Sequence, residues 1–528
     1  MMLMMVVRMK RKKFKELLMN LQDNGFCYWG NVVIELGYAT HIPTFVNTTQ
    51  SGRRITVYKN IRFANPPVQD LRFRKPDTNI SKIEVIQNGH VPWLSTDCIA
   101  SAPVGAPIPG LNGTTWGHDD CLFLDVYVPE TVRPGDNVPV LHFFSGGAYA
   151  FGGKDFWPNN PLGLFELGAD FIFVTNNYRL GISGWASAPG LDMDANVGLL
   201  DCLAAAEWTS KYIARFGGDK DRITAMGQSS GAGIIQLLTV LNGGRGKLPF
   251  QRAFISSPDI PPRRNVSARQ TNLFESILTS ANCTTLACLR SAPESTIRRL
   301  NDDLINQMAS DAGGGVFGPT PGFGPVPDGR AIPDMPAVLF RQGRYHRGLK
   351  GLIIGSMADE GNGLSHDTDQ PQYFPTMVRQ LLPNATDETI RQIQVLYDYQ
   401  SNPAKLAWDW TTDVLFACNA LNTARAFSSR AYRYIMSAPP ATHGYDMSYY
   451  FHVDQQTTPV GNVIVAREFQ HRLLRFIHGE ETPWPGYNRR ERLANITDGG
   501  FEMIALRDDL KKRCEVITAA VTDPMNGA

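Results

Sequence analysis

Two adjacent serines stand among three glycines in GQSSGAG, residues 227–233. A serine hydroxyl attacks a carbonyl at neutral pH only when a base takes its proton and a third group orients that base. The G-x-S-x-G pattern supplies the geometry for such an attack, a sharp turn between a strand and a helix with no side chains flanking the nucleophile. Ser229 has Gly227 two residues before it and Gly231 two residues after, whereas Ser230 has Gln228 and Ala232 there. Ser229 is therefore the candidate nucleophile.

An acyl-transfer site also needs N–H donors for the oxyanion that develops on the attacked carbonyl. SGGAYAFGG (145–153) directly follows the apolar run VPVLHFF (138–144), and Gly146, Gly147 and Ala148 are small enough for a substrate to approach their backbone. Gly147 and Ala148 are the expected donors, with the amide of Ser230 as a third. Ten histidines are available as the base. The chain order of this site type is serine, acid, histidine, which removes His41, His90, His118 and His142. His346 precedes the best acid segment, SMADEG (356–361), and His366 follows it too closely. His452 lies in a strand-like run, and His471 and His478 belong to a helix-like one. His443, in the loop sequence PPATHGYD, is the candidate base. Asp359 and Glu360 compete for the acid, and spacing does not choose between them.

The elements that must carry these residues follow an α/β pattern. VPVLHFF (138–144) and FIFVTN (171–176) read as buried strands, and ANVGLLDCLAAAEWTSKYIARF (195–216) as a helix packed on a sheet. A turn GGDKD and a short strand RITAM (222–226) lead into GQSSGAG, which opens the helical run GIIQLLTVL. GLKGLIIGS (348–356), AYRYIM (431–436) and DMSYYF (446–451) read as late strands, and EFQHRLLRFI (468–477) as an amphipathic helix. The Pro/Gly-rich stretches 102–113 and 311–328 read as loops.

Composition limits the alternatives. The 528 residues are 43% hydrophobic and 19% charged with a formal net charge of +1, a balance that points to neither nucleic acid nor an anionic surface. No apolar run approaches the roughly 18 residues of a transmembrane helix. GGRGK (243–247) lacks the remainder of a phosphate-binding loop, and neither H-E-x-x-H nor paired CxxC occurs. No metal and no cofactor is expected, and the partner is a small-molecule or lipid ester. Eight cysteines and seven N-x-S/T sequons, at Asn47, Asn79, Asn112, Asn265, Asn282, Asn384 and Asn495, point to secretion and glycosylation. The N-terminus points elsewhere, because its apolar run Met1–Val7 precedes the cations Arg8–Lys15, the reverse of a secretory signal.

With these segments in order, the chain resembles the type-B carboxylesterase family, which includes fungal lipases and esterases and the cholinesterases. The resemblance runs from about residue 50 to about 520, through VYKNIRFANPPVQDLRFRKP (57–76), DDCLFLDVYVP (119–129), NNYRLGISGW (176–185) and ANVGLLDCLAAAEW (195–208). It continues through FGGDKDRITAMGQSSGAG (216–233), DGRAIPD (328–334), GSMADEG (355–361) and HGYDMSYYF (443–451). It implies an α/β-hydrolase fold, a mostly parallel twisted sheet flanked by helices, as one domain over 36–528. Residues 1–35 stand outside it as an extension or a wrongly assigned start.

The resemblance also implies Glu360 as the acid, beside Ser229 and His443, and disulfides Cys98–Cys121 and Cys283–Cys288. By analogy with cholinesterases it implies a third, Cys418–Cys514, leaving Cys27 and Cys202 free. The chain departs from the family in two places. Its oxyanion loop reads S-G-G-A where H-G-G-G or Y-G-G-G is usual, and Ser230 replaces the usual alanine after the nucleophile. PGLNG (109–113) stands where cholinesterases carry their choline-binding tryptophan, which counts against choline esters. The expected activity is carboxylic ester hydrolysis through an acyl-enzyme. The alternatives are a triglyceride lipase or an esterase or acyltransferase dedicated to one secondary metabolite.

Overall fold

A strand buried on both faces reads in sequence as a continuous apolar run, while its successive side chains enter opposite cores. Val138–Phe144 does this: Val140 and Phe144 enter one core, and Leu141 and Phe143 the other. In Arg252–Ser256, Ala253 and Ile255 face one side and Phe254 the other. In Gly351–Met357, Leu352 and Ile354 likewise oppose Ile353. The computed structural model describes residues 33–527 apart from 92–94, 105–110, 157–159, 265–266, 311–322, 365–369, 481–483 and 489. The N-terminal extension, except for its last residues, and Cys27 and Asn265 lie outside the described residues.

Among these residues the main sheet has 11 strands. In chain order they are β1 (Phe45–Thr48), β2 (Arg54–Arg62), β3 (Phe123–Pro129), β4 (Val138–Phe144), β5 (Ile172–Asn176) and β6 (Gly218–Gln228). The remaining five are β7 (Arg252–Ser256), β8 (Gly351–Met357), β9 (Ala431–Met436), β10 (Arg492–Thr497) and β11 (Gly500–Ala505). Their order across the sheet is β1-β2-β3-β5-β4-β6-β7-β8-β9-β10-β11. The strands from β5 to β10 in this order run parallel, and β1, β2, β3 and β11 pair antiparallel at the two edges. This is the α/β-hydrolase architecture that the sequence implies.

Helices cover both faces. α1 (Val197–Tyr212) packs beside α2 (Ser230–Val240), every residue of which is buried. α3 (Cys418–Phe427) follows a π-helical turn over Thr412–Ala417. α4 (Tyr445–Tyr450) and α5 (Val463–His478) cover the second core. In α5, Val465, Phe469, Leu473 and Ile477 recur every four residues and are buried. The Asn462 side chain caps its start, and Gly479, at φ 87°, ends it. α6 (Asp508–Thr522) closes the chain and is joined to α3 by the Cys418–Cys514 disulfide.

Two expectations need correction. DMSYYF is not a strand: its residues belong largely to α4. The aromatic run favours a strand locally, but Asp446, Tyr449 and Tyr450 are the buried positions, and that spacing is helical. His452, expected within that strand, follows the helix. GGDKD and RITAM are not a turn and a short strand, since β6 runs continuously over Gly218–Gln228 and absorbs the extra residues as a register shift between Gly218 and Ile223. The Pro/Gly-rich stretches at 102–113 and 311–328 carry no helix or strand where they are described.

Candidate active site

The site sits at the C-terminal ends of the parallel strands, where an open α/β sheet leaves a crevice. Ser229 occupies the turn between β6 and α2 with φ 58° and ψ −128°, a conformation that L-residues rarely hold. Surrounding contacts fix it: the Ser229 amide donates to the Ser256 carbonyl at 2.9 Å, and the amides of Gly233 and Asp259 donate to the Ser229 carbonyl at 2.9 and 3.2 Å. The flanking glycines are required by space. A Cβ on Gly227 would lie 2.6 Å from the Gly231 backbone, and one on Gly231 would lie 2.1 Å from the Phe144 carbonyl oxygen.

The His443 ring meets both neighbours of a relay. Its Nε2 lies 2.8 Å from the Ser229 Oγ, and its Nδ1 lies 2.6 Å from the Glu360 Oε2. Glu360 is fully buried, and its Oε1 accepts from the Met357 amide at 2.8 Å. Asp359, the competing acid, is half-buried and accepts from the Asn362 side chain at 2.9 Å. The acid turn and the histidine loop are laced together, because the Asp359 amide donates to the Ala441 carbonyl at 3.1 Å and the Ala358 amide to the Met436 carbonyl at 2.9 Å. Two of the other described histidines serve elsewhere. His142 bridges Asn176 and Thr209, and His452 bonds the Thr458 carbonyl.

The glycine loop abuts the serine. A Cβ on Gly146 would lie 2.7 Å from the Gln228 carbonyl oxygen and 3.1 Å from the Ser229 Cβ. Gly147 and Ala148 hold φ 126° and 52°, and the Gly147 carbonyl accepts from the Ala150 and Phe151 amides. Gly146, Gly147 and Ala148 are half-buried between fully buried neighbours, so this stretch faces the crevice. Tyr178 ties the loop to the nucleophile turn: its hydroxyl donates to the Ser145 carbonyl at 2.9 Å and lies 3.4 Å from the Ser230 Oγ. The Ser230 side chain, unusual beside a nucleophile of this type, thus has a buried partner.

Three neighbours of His443 escaped the sequence reading. The Gln228 amide lies 3.2 Å from the His443 Nε2, on the side that also meets Ser229. Phe416, from the π-helical turn, packs its ring 4.4 Å from the imidazole. Asp446, one turn beyond the histidine, is fully buried and accepts from the Ser256 and Tyr434 hydroxyls. Its carboxyl is raised to about 6, chiefly by burial, with the two hydroxyls opposing the shift and Glu360 nearby adding to it. Gln228 and Asp446 lie inside the quoted motifs but carry no pattern of their own, and Phe416 comes from a distant segment.

The described residues hold disulfides Cys98–Cys121, Cys283–Cys288 and Cys418–Cys514, and Cys202 is free and buried. Among the described residues no cluster of His, Cys, Asp or Glu fits a metal ion, and no helix is long and apolar enough to cross a membrane.

The chain is similar to known proteins over most of its length. It is 30% identical to carboxylesterase patB of Aspergillus clavatus, covering 92% of this chain and 95% of that one. It is 29% identical to a secreted lipase of Arthroderma benhamiae over 78% of this chain and 86% of the other. The solved structure of EstA from Aspergillus niger superposes with a TM-score of 0.77 at 22% identity, covering 93% and 98% of the two chains. The model of the carboxylesterase family matches residues 41–497. The chain belongs to the carboxylesterase family and is by class a carboxylic ester hydrolase.

Proposed function

We propose that the protein hydrolyses carboxylic esters through an acyl-enzyme formed on Ser229, with Glu360 and His443 completing the triad. The observation that carries this reading is the unbroken contact sequence from the Ser229 Oγ to the His443 Nε2 at 2.8 Å and from its Nδ1 to Glu360 at 2.6 Å. His443 takes the hydroxyl proton as Ser229 attacks the ester carbonyl, and the buried Glu360 carboxylate stabilises the imidazolium. The amides of Gly147, Ala148 and Ser230 receive the oxyanion. Collapse of the tetrahedral intermediate expels the alcohol, which takes its proton from His443. Water, activated by the same ring, then frees the acid. No cofactor enters any step.

Residues 36–528 act as one domain in this reading, and the protein is secreted. Three disulfides favour an oxidising compartment, and one relative is a secreted lipase. Asn79, Asn112, Asn282 and Asn384 are exposed and suit glycosylation. Asn495 suits it less, because its amide oxygen accepts from the Ser437 hydroxyl within the sheet.

The test is hydrolysis of 4-nitrophenyl esters of increasing acyl length by the wild type and by Ser229→Ala. Turnover by the wild type and its loss in the variant are expected. Undiminished activity in the variant sinks the mechanism. Activity confined to long-chain esters above their solubility limit moves the reading to a lipase.

A further inference from the structure

Two opposite charges lie buried beside the nucleophile with no role in the triad. Asp259 follows β7 and is 7% exposed, and Arg263, four residues on, is 6% exposed. Among the described residues the Asp259 Oδ1 and the Arg263 Nε are each buried without a hydrogen-bond partner. The Arg263 Nη2 reaches only the edge of bonding distance to the Phe323 carbonyl, at 3.5 Å. Leaving a buried donor and a buried acceptor unmet is destabilising, and more so when they are charged. A core built for stability alone would pair them or replace them with apolar residues.

Their placement ties them to the reacting centre. The Asp259 amide holds the Ser229 carbonyl, and the Asp259 carbonyl accepts from the Tyr149 hydroxyl, which belongs to the glycine loop. A Cβ on Gly324 would meet the Arg263 guanidinium and the Tyr149 ring, each at 3.2 Å, so Arg263 flanks the same tyrosine. The Asp259 carboxyl lies within the fields of His443, Arg263 and Glu360, and burial raises it to about 6. The pair therefore places an enclosed cationic donor and an enclosed carboxyl acceptor beside both the nucleophile and the oxyanion loop.

We propose that Asp259 and Arg263 form a polar subsite beside Ser229 that selects small esters bearing both hydroxyl and carbonyl oxygens over plain alkyl or fatty-acyl esters. A substrate hydroxyl donates to Asp259 and a substrate carbonyl or carboxylate oxygen accepts from Arg263. A hydrocarbon chain in the same place leaves both groups unmet, and sites that hydrogen-bond their substrate discriminate most strongly against such analogues. This inference rests on the reading of Ser229 as the nucleophile.

The experiment uses two matched pairs, a hydroxyl pair of 4-nitrophenyl 3-hydroxybutyrate against 4-nitrophenyl butyrate and a ketone pair of 4-nitrophenyl 4-oxopentanoate against 4-nitrophenyl pentanoate. Values of kcat/KM are measured for the full chain, Asp259→Leu, Arg263→Met and Arg263→Lys, with a melting temperature for each. The wild type should favour the oxygenated member of each pair by about tenfold or more. Asp259→Leu should erase the preference in the hydroxyl pair and Arg263→Met that in the ketone pair, each by lowering kcat/KM on the oxygenated member more than on the plain one, and Arg263→Lys should restore part of the latter. Wild-type turnover without preference overturns the subsite, as does an equal loss on both members of a pair. If a variant fails to fold, the wild-type ratio and the remaining variants decide. Absence of all turnover by the wild type removes the esterase reading, and the subsite with it.

Discussion

Glu360 and Asp359 are adjacent in sequence and alike in charge, yet they meet different partners. Glu360 is fully buried and faces His443, while Asp359 is half-buried and faces Asn362. Replacing Glu360 with Gln keeps the shape and removes the charge that stabilises the imidazolium. We expect kcat to fall by roughly 10²–10⁴-fold, while Asp359→Asn stays within about threefold of the wild type. Steady-state kinetics on one short-chain ester checks both, and the opposite ranking would move the acid to Asp359. Spacing alone left that choice open, because side-chain direction at a strand end depends on the turn that follows, and it was the family resemblance that implied Glu360. Here Gly361 shapes the turn, since a Cβ on it would lie 2.0 Å from the Trp408 carbonyl oxygen.

At the scale of elements, the glycine loop is positioned by a segment that no motif for it includes. Tyr178, just past β5, holds the Ser145 carbonyl and reaches Ser230 at the start of α2, so one hydroxyl links three elements. Tyr178→Phe leaves the buried Ser145 carbonyl without this donor, a defect of about 1–3 kcal/mol. If 1–2 kcal/mol of that reaches the oxyanion donors, kcat falls roughly 5–30-fold with KM little changed. Ser230→Ala keeps the backbone amide and the Tyr178–Ser145 bond, so its kcat should stay within about threefold. A Ser230→Ala loss as large as that of Tyr178→Phe would assign the serine hydroxyl a direct part in turnover. The elements themselves differed in legibility. β4, β5 and β8 stand out because both of their faces are buried and the apolar runs are unbroken. α4 was hidden because Tyr449, Tyr450 and Phe451 favour a strand locally, and only the packing of Asp446 beneath the sheet ends makes helical spacing the better fit.

Across the whole molecule, the buried carboxyls are what the sequence conceals most completely, since an aspartate in a motif looks the same whether solvated or enclosed. Asp259, Asp413 and Asp446 are each raised to about 6, with burial as the largest cause. A carboxyl raised in the folded state keeps its proton at pH values where the unfolded chain has released it. Its stabilising contribution is therefore complete below about 4 and is lost as pH rises through about 6. For Asp446 the difference between 3.8 and about 6 corresponds to roughly 3 kcal/mol. His41 and His142 act in the opposite sense: burial lowers each to about 4, so the folded state binds fewer protons than the unfolded one and gains stability as pH rises toward 6.5. The wild-type profile mixes these slopes, and a variant isolates one of them. Asp446→Asn keeps an oxygen to accept from the Ser256 and Tyr434 hydroxyls and cannot ionise. Unfolding free energies of the two proteins, measured by denaturant titration from pH 4.5 to 8, should differ increasingly in favour of the variant as pH rises, by on the order of 2–3 kcal/mol across the range. A difference that stays constant with pH would mean that Asp446 carries the same charge in the folded and unfolded chain, despite its complete burial.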